Sequence, residues 1–118
     1  MGAEASFETQ VVGTTLVIRV TGYLNSRIGF ELGQEVDALI EQGGRSVLLN
    51  FASTKMMNSV GISSITTIVR RMADLQGRAA FCSLAGMNRE IFKTMGATQG
   101  VELFDNEFEA LAWFESNA

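Results

Sequence analysis

Two spacings of apolar residues alternate along the chain, and they predict its elements. From Phe7 to Val12 polar and apolar residues take turns, and after Gly13-Thr14 comes the run Leu16-Val17-Ile18-Arg19-Val20-Thr21. Two such runs around a glycine-containing turn predict a β-hairpin. Leu16, Ile18 and Val20 share one face of the second strand and Arg19 and Thr21 the other, as in a sheet covered mainly on one side. Gly22 is the expected end of that strand, and Tyr23-Leu24-Asn25-Ser26 the loop into a helix. The period then lengthens: Ile28, Leu32, Val36, Leu39 and Ile40 form an apolar stripe, with Glu31, Glu35, Asp37 and Glu41 opposite. Asn25 or Ser26 is the expected N-cap, and Gln42-Gly43-Gly44 the stop.

Ser46-Val47-Leu48-Leu49-Asn50-Phe51 reads as a short central strand, apolar on both faces. A strand, helix, strand succession predicts a parallel crossover, so the sheet is expected to be mixed. The stretch from Lys55 to Ser64 joins this strand to a second helix, marked by Ile62, Ile65, Val69, Met72 and Leu75 with Ile68 beside them, and stopped at Gln76-Gly77. Ala79–Leu84 predicts another buried strand, about Asn88 to Met95 a short helix ending at Gly96, and Val101–Phe104 a last strand. Asn106 with Glu109 resembles a capping box that opens a final helix through Phe108, Leu111, Ala112 and Phe114. The predicted order is β-β-α-β-α-β-α-β-α, an α/β layered domain with helices packed on a mixed sheet.

A length of 118 residues fits a single domain, 1–118, with a core from about 7 to 114, and such a chain buries about two thirds of its unfolded surface. The apolar fraction of 47% and charged fraction of 19% are those of a globular protein, and no run approaches a membrane span. The start, Met1-Gly2-Ala3-Glu4-Ala5-Ser6, lacks the basic and apolar regions of a secretory signal. It matches the short N-myristoylation pattern, which also occurs often by chance. The one cysteine, Cys82, lies in an apolar run and reads as a buried thiol in a reducing cytoplasm. With no histidine, the usual zinc and copper sites and His-dependent nucleophilic catalysis are excluded, so neither an enzyme nor a cofactor is expected. A net charge of −4 with scattered cations argues against nucleic acid as a partner.

Chemistry concentrates at Ser59. A hydroxyl at the mouth of a helix can cap unpaired backbone N–H groups, or it can carry a phosphate that those N–H groups and the helix dipole stabilise. Met56, Met57, Val60 and Ile62 crowd apolar side chains around it, and flexible methionines suit a surface that receives a partner. Gly61 allows another group to come close. A phosphate there would add about −1.5 to −2 charge units and repel an apolar or acidic partner. Asn25 is expected on the same sheet edge, because loops leaving parallel strands gather there. No glycine-rich phosphate cradle occurs, and no two carboxylates are placed by a motif to act together.

Leu16 to Asn25, Val47 to Phe51, Met57-Asn58-Ser59-Val60-Gly61-Ile62 and Leu103 to Leu111, taken in order, resemble a STAS domain, specifically a stand-alone bacterial anti-sigma factor antagonist. The resemblance implies a non-enzymatic cytoplasmic signalling protein. Its partner would be an anti-sigma factor that is also a serine kinase of the GHKL ATPase type, and a serine phosphatase would reverse the modification. By position Ser59 is the implied phosphoacceptor, with Asn25, Met56, Met57, Asn58, Val60 and Gly61 shaping the docking surface. Asn58 stands where the family motif usually has Asp, and Asn25 where many members have Asp; both changes remove charge that would repel a phosphate. The alternative is a non-switching STAS scaffold subunit of a larger signalling or transport assembly, with Ser59 only a cap.

Overall fold

A computed structural model describes residues 4–117, so Gly2 of the myristoylation pattern lies outside the described residues. The order is β1 (Ala5–Val12), β2 (Thr15–Leu24), α1 (Ser26–Glu41), β3 (Ser46–Asn50), β4 (Thr54–Met57), α2 (Ser59–Asp74), β5 (Arg78–Cys82), α3 (Gly86–Thr94), β6 (Glu102–Phe104) and α4 (Glu107–Ser116). The sheet runs β1-β2-β3-β5-β6, antiparallel only at the β1-β2 hairpin. It is mixed, as the hydrophobic pattern predicts.

Two expectations need correction at the upper end of β2. The strand does not stop at Gly22 but continues to Leu24, because the chain makes a short sideways step after β3 and returns as β4 beside it. Gly22 sits at the resulting irregularity with φ of +80°, where a Cβ would run into the Glu4 carbonyl. The step is held by Asn50 Oδ1, which accepts from the Ala52 N–H at 2.8 Å, and by the buried Thr54 hydroxyl, which donates to the Val20 carbonyl at 2.7 Å. The true order is therefore β-β-α-β-β-α-β-α-β-α, and Tyr23 and Leu24 belong to a strand. β4 has no apolar alternation to betray it: Lys55 and Met56 both face solvent.

The sheet is also covered on both sides. Leu16, Ile18, Val20, Val47, Leu49 and Phe81 meet α1, α2 and α3 through Ile28, Leu32, Ile62, Ile65, Met72 and Phe92. Phe51, Phe81 and Phe92 form an edge-on trio with centroids 5.2 to 5.5 Å apart, a geometry favoured by the ring quadrupoles. On the opposite face Val17, Leu48, Ala80 and Cys82 pack under Ala110 and Phe114 of α4. Cys82 is fully buried, and desolvation pushes its thiol up to about 11, so it is protonated and unreactive near neutral pH.

One charged cluster pins α4 to the sheet. Arg19 donates to both carboxylate oxygens of Glu107, at 2.7 and 3.0 Å, and Asn50 Nδ2 donates to the same group at 2.8 Å. The Arg19 hydrogen bond, helped by Asn50, holds the Glu107 carboxyl below its usual range against a smaller opposing effect of burial. A carboxyl with a depressed folded-state value adds stability above its unfolded value and loses it as pH falls through the folded one. We expect Glu107→Gln to lower the melting temperature at pH 7, with the gap from the parent closing below the ordinary glutamate value, about 4.5; melting curves between neutral and strongly acidic pH check this.

Candidate functional site

The end of β2 pairs with the end of β4, Leu24 opposite Met57, and each strand is followed by one asparagine and then a helix. Asn25 Oδ1 accepts from the Ile28 N–H at 2.9 Å, and Asn58 Oδ1 accepts from the Gly61 N–H at 2.8 Å. Both are N-caps in the usual sense, extended residues whose side chains satisfy a third-position N–H. The Asn58 N–H in turn donates to the Leu24 carbonyl at 3.1 Å. Asn25 and Asn58 are therefore neighbours, as expected, and two helix N-termini open side by side on one sheet edge. Neither first turn carries an acidic residue, so both positive dipole ends are uncompensated.

This arrangement settles what caps α2. The cap is Asn58, and Ser59 is the first helical residue, exposed and with no side-chain hydrogen bond among the described residues. Its hydroxyl is free for other chemistry. Asn58 does a second job as well: with Oδ1 engaged by Gly61, its Nδ2 faces Tyr23 and donates to the phenolic oxygen at 3.2 Å. One amide thus bridges the helix start and the strand before α1.

Gly61 turns inward. A Cβ there would lie 2.4 Å from the Leu24 carbonyl oxygen and 2.8 Å from its carbon, a close approach that only glycine allows. Among the other residues named from sequence, Met56 and Val60 are half exposed, at 51% and 54%. Met57 is partly buried and packed on the main core. Phe30, which lies off the apolar stripe of α1, is 68% exposed. It borders a groove of about 260 Å³ between α1 and α2, together with Gly33, Ser64 and Thr67, and Arg71 pairs with Asp37 at the groove's edge. The available signal was its position: an aromatic residue off the buried stripe of an amphipathic helix.

Among the described residues no group of three potential metal ligands gathers anywhere, and no helix is long and apolar enough to cross a membrane. The edge around Ser59 offers an exposed hydroxyl, two helix mouths and the half-exposed apolar side chains of Met56 and Val60.

The STAS domain family model matches residues 6–110, and the chain belongs to this family. Within it, the similarity is to antagonists of anti-sigma factors. BtrV of Bordetella bronchiseptica, provisionally named an anti-sigma factor antagonist, is 26% identical over 81 residues, 69% of this chain and 70% of BtrV. The unphosphorylated form of the anti-sigma factor antagonist SpoIIAA is 21% identical and superposes with a TM-score of 0.78 over 96% of this chain and 100% of its own. The phosphorylated form of the Bacillus protein is 22% identical, with a TM-score of 0.77 over 92% and 99%. A variant of RsbS from Moorella thermoacetica, 12% identical, gives 0.82 over 94% and 96%. The fold is that of the anti-sigma factor antagonists.

Three substitutions separate the roles of Asn58 and Gly61. Asn58→Ala should cost about 1 to 2 kcal/mol through loss of the cap, whereas Asn58→Asp keeps the acceptor and should cost less. Gly61→Ala must displace Leu24 or the start of α2 and should cost about 1 to 3 kcal/mol. Urea denaturation of the three variants measures these differences.

Proposed function

We propose that this chain acts in the cytoplasm as a single-domain anti-sigma factor antagonist, switched by phosphorylation of Ser59. The partner is an anti-sigma factor that is also a GHKL-type serine kinase. It binds the unmodified chain at the edge built from Asn25, Met56, Met57, Asn58 and Val60, with Gly61 setting the position of α2 beneath them. The observation that carries this reading is the division of labour at α2: Asn58 caps the helix, so the Ser59 hydroxyl stays exposed and uncommitted.

In the transfer step the Ser59 oxygen attacks the γ-phosphorus of ATP and gives up its proton to a base of the kinase. The bond from that phosphorus to the β,γ-bridging oxygen breaks, and ADP leaves. The new phosphate lies beside the N–H groups of the first turn of α2, at the positive end of the dipole, which stabilise it locally. With Asn rather than Asp at position 58, no carboxylate next in sequence opposes the added charge. The same charge, placed next to the exposed side chains of Met56 and Val60, weakens an apolar contact and releases the kinase. A serine phosphatase removes the phosphate and restores binding.

The kinase partner, purified with labelled ATP, provides the test. Ser59→Ala should bind like the parent and take up no label. Ser59→Asp, with a smaller charge than phosphate, should weaken binding by about tenfold, equivalent to about 1.4 kcal/mol. Label on the Ser59→Ala chain overturns the assignment. If Ser59→Ala and Ser59→Asp both bind a stable partner as the parent does, the non-switching scaffold subunit is the correct reading.

A further inference from the structure

β1 is one outer edge of the sheet, with β2 as its neighbour. The two-residue turn at Gly13-Thr14 and the register Val12 opposite Thr15 make the even-numbered residues of β1 those that exchange hydrogen bonds with β2. The Tyr23 N–H donating to the Glu4 carbonyl at 2.7 Å continues this phase. Phe7, Thr9 and Val11 consequently aim their N–H and C=O groups away from the sheet. Arg27 reaches the outward carbonyl of Ala5 at 2.9 Å; among the described residues the outward groups of Phe7, Thr9 and Val11 have no partner.

Exposed edges of this length are normally blunted by proline, lysine, a bulge or a covering element. The eight residues of β1 contain neither proline nor lysine, pair with β2 without a register shift, and leave Val11 66% exposed. The sequence of the strand also suits itself as a partner. In an antiparallel pair about a two-fold axis at Thr9, Thr9 faces Thr9, Phe7 faces Val11 of the other copy, and Glu8 faces Gln10. Each of Phe7, Thr9 and Val11 then meets an outward-pointing backbone across the interface, giving reciprocal N–H to C=O bonds. Threonine pairs and apolar pairs are favourable across strands, whereas facing like charges are not. An axis at Glu8 would set the two Glu8 carboxylates against each other, and one at Gln10 would place Phe7 opposite the turn glycine.

We propose that a second copy of this chain pairs with β1 in the register centred on Thr9, joining the two sheets edge to edge. The interface is isologous and therefore closes as a dimer. Because paired β1 strands run in opposite directions, the two β2 strands do as well, and the two Ser59 edges face opposite ends of the particle. Each can then meet its own partner without crowding the other. This inference stands independently of the switch at Ser59.

Sedimentation of the full chain across micromolar to millimolar concentration tests it. The parent should pass from monomer to dimer. Thr9→Pro removes an outward N–H that the β1-β2 ladder does not use, so this variant should keep its circular dichroism and melting behaviour yet remain monomeric. Val11→Lys, a surface change, should also remain monomeric and stands in if the proline variant fails to fold. Under mild oxidation Thr9→Cys should yield a disulfide-linked dimer, its Cα atoms falling within bridging distance across the axis, and Val11→Cys should not. A parent that is monomeric throughout, or a dimer that a folded Thr9→Pro or Val11→Lys variant leaves intact, overturns the proposal. Equal cross-linking from both cysteine variants overturns the register.

Discussion

The upper half of this molecule depends on one close approach, that of Gly61 to the carbonyl of Leu24. It lets α2 start directly beside the end of β2, and the Leu24 to Met57 pairing fixes the height at which it starts. With that height fixed, Asn58 reaches the third N–H of α2 on one side and Tyr23 on the other, and Asn25 repeats the capping at α1. The exposed position of Ser59 follows from these contacts. It is the residue left over when its predecessor has taken the capping role.

The two faces of the sheet divide the work. The face under α1, α2 and α3 holds most of the large buried side chains and supports the helix whose first turn carries Ser59. The other face is smaller, with one helix and a partly buried Arg19-Glu107-Asn50 cluster at its border. Polar pinning suits that position: a partly buried pair with good geometry orients a short helix whose own apolar face is narrow. The charged cluster sets where α4 sits, and Asn50 ties it to the step before β4, with its Nδ2 on Glu107 and its Oδ1 accepting from the Ala52 N–H.

Much of this was legible in the sequence, for physical reasons that differ by element. The stripes of α1 and α2 and the alternation of β2 are strong signals because each buries a continuous face, and Asn106 announced α4 by its capping role, accepting from the Glu109 N–H. β4 was hidden because its pairing with β2 is made by backbone atoms, and its side chains mostly face water. The same hidden strand made Tyr23 and Leu24 look like a loop. Ser59 was visible as a hydroxyl at a helix mouth, but which of two adjacent polar residues caps the helix depends on an offset of one position, below what periodicity resolves. Phe30 escaped notice because a pattern search looks for apolar residues that fit a stripe, not for one that departs from it.

The bridge made by Asn58 has a consequence for Tyr23. The amide donates its hydrogen to the phenolic oxygen, so the phenol acts there as an acceptor and keeps its own O–H hydrogen uncommitted. That hydrogen lies at the border of the Ser59 edge, available to an acceptor on an incoming molecule. An aspartate at position 58 would cap the helix equally well, but as a carboxylate it could only accept, and it would draw the tyrosine hydrogen to itself. Asparagine and aspartate at this position therefore leave the edge with different donors on display, apart from any difference in charge.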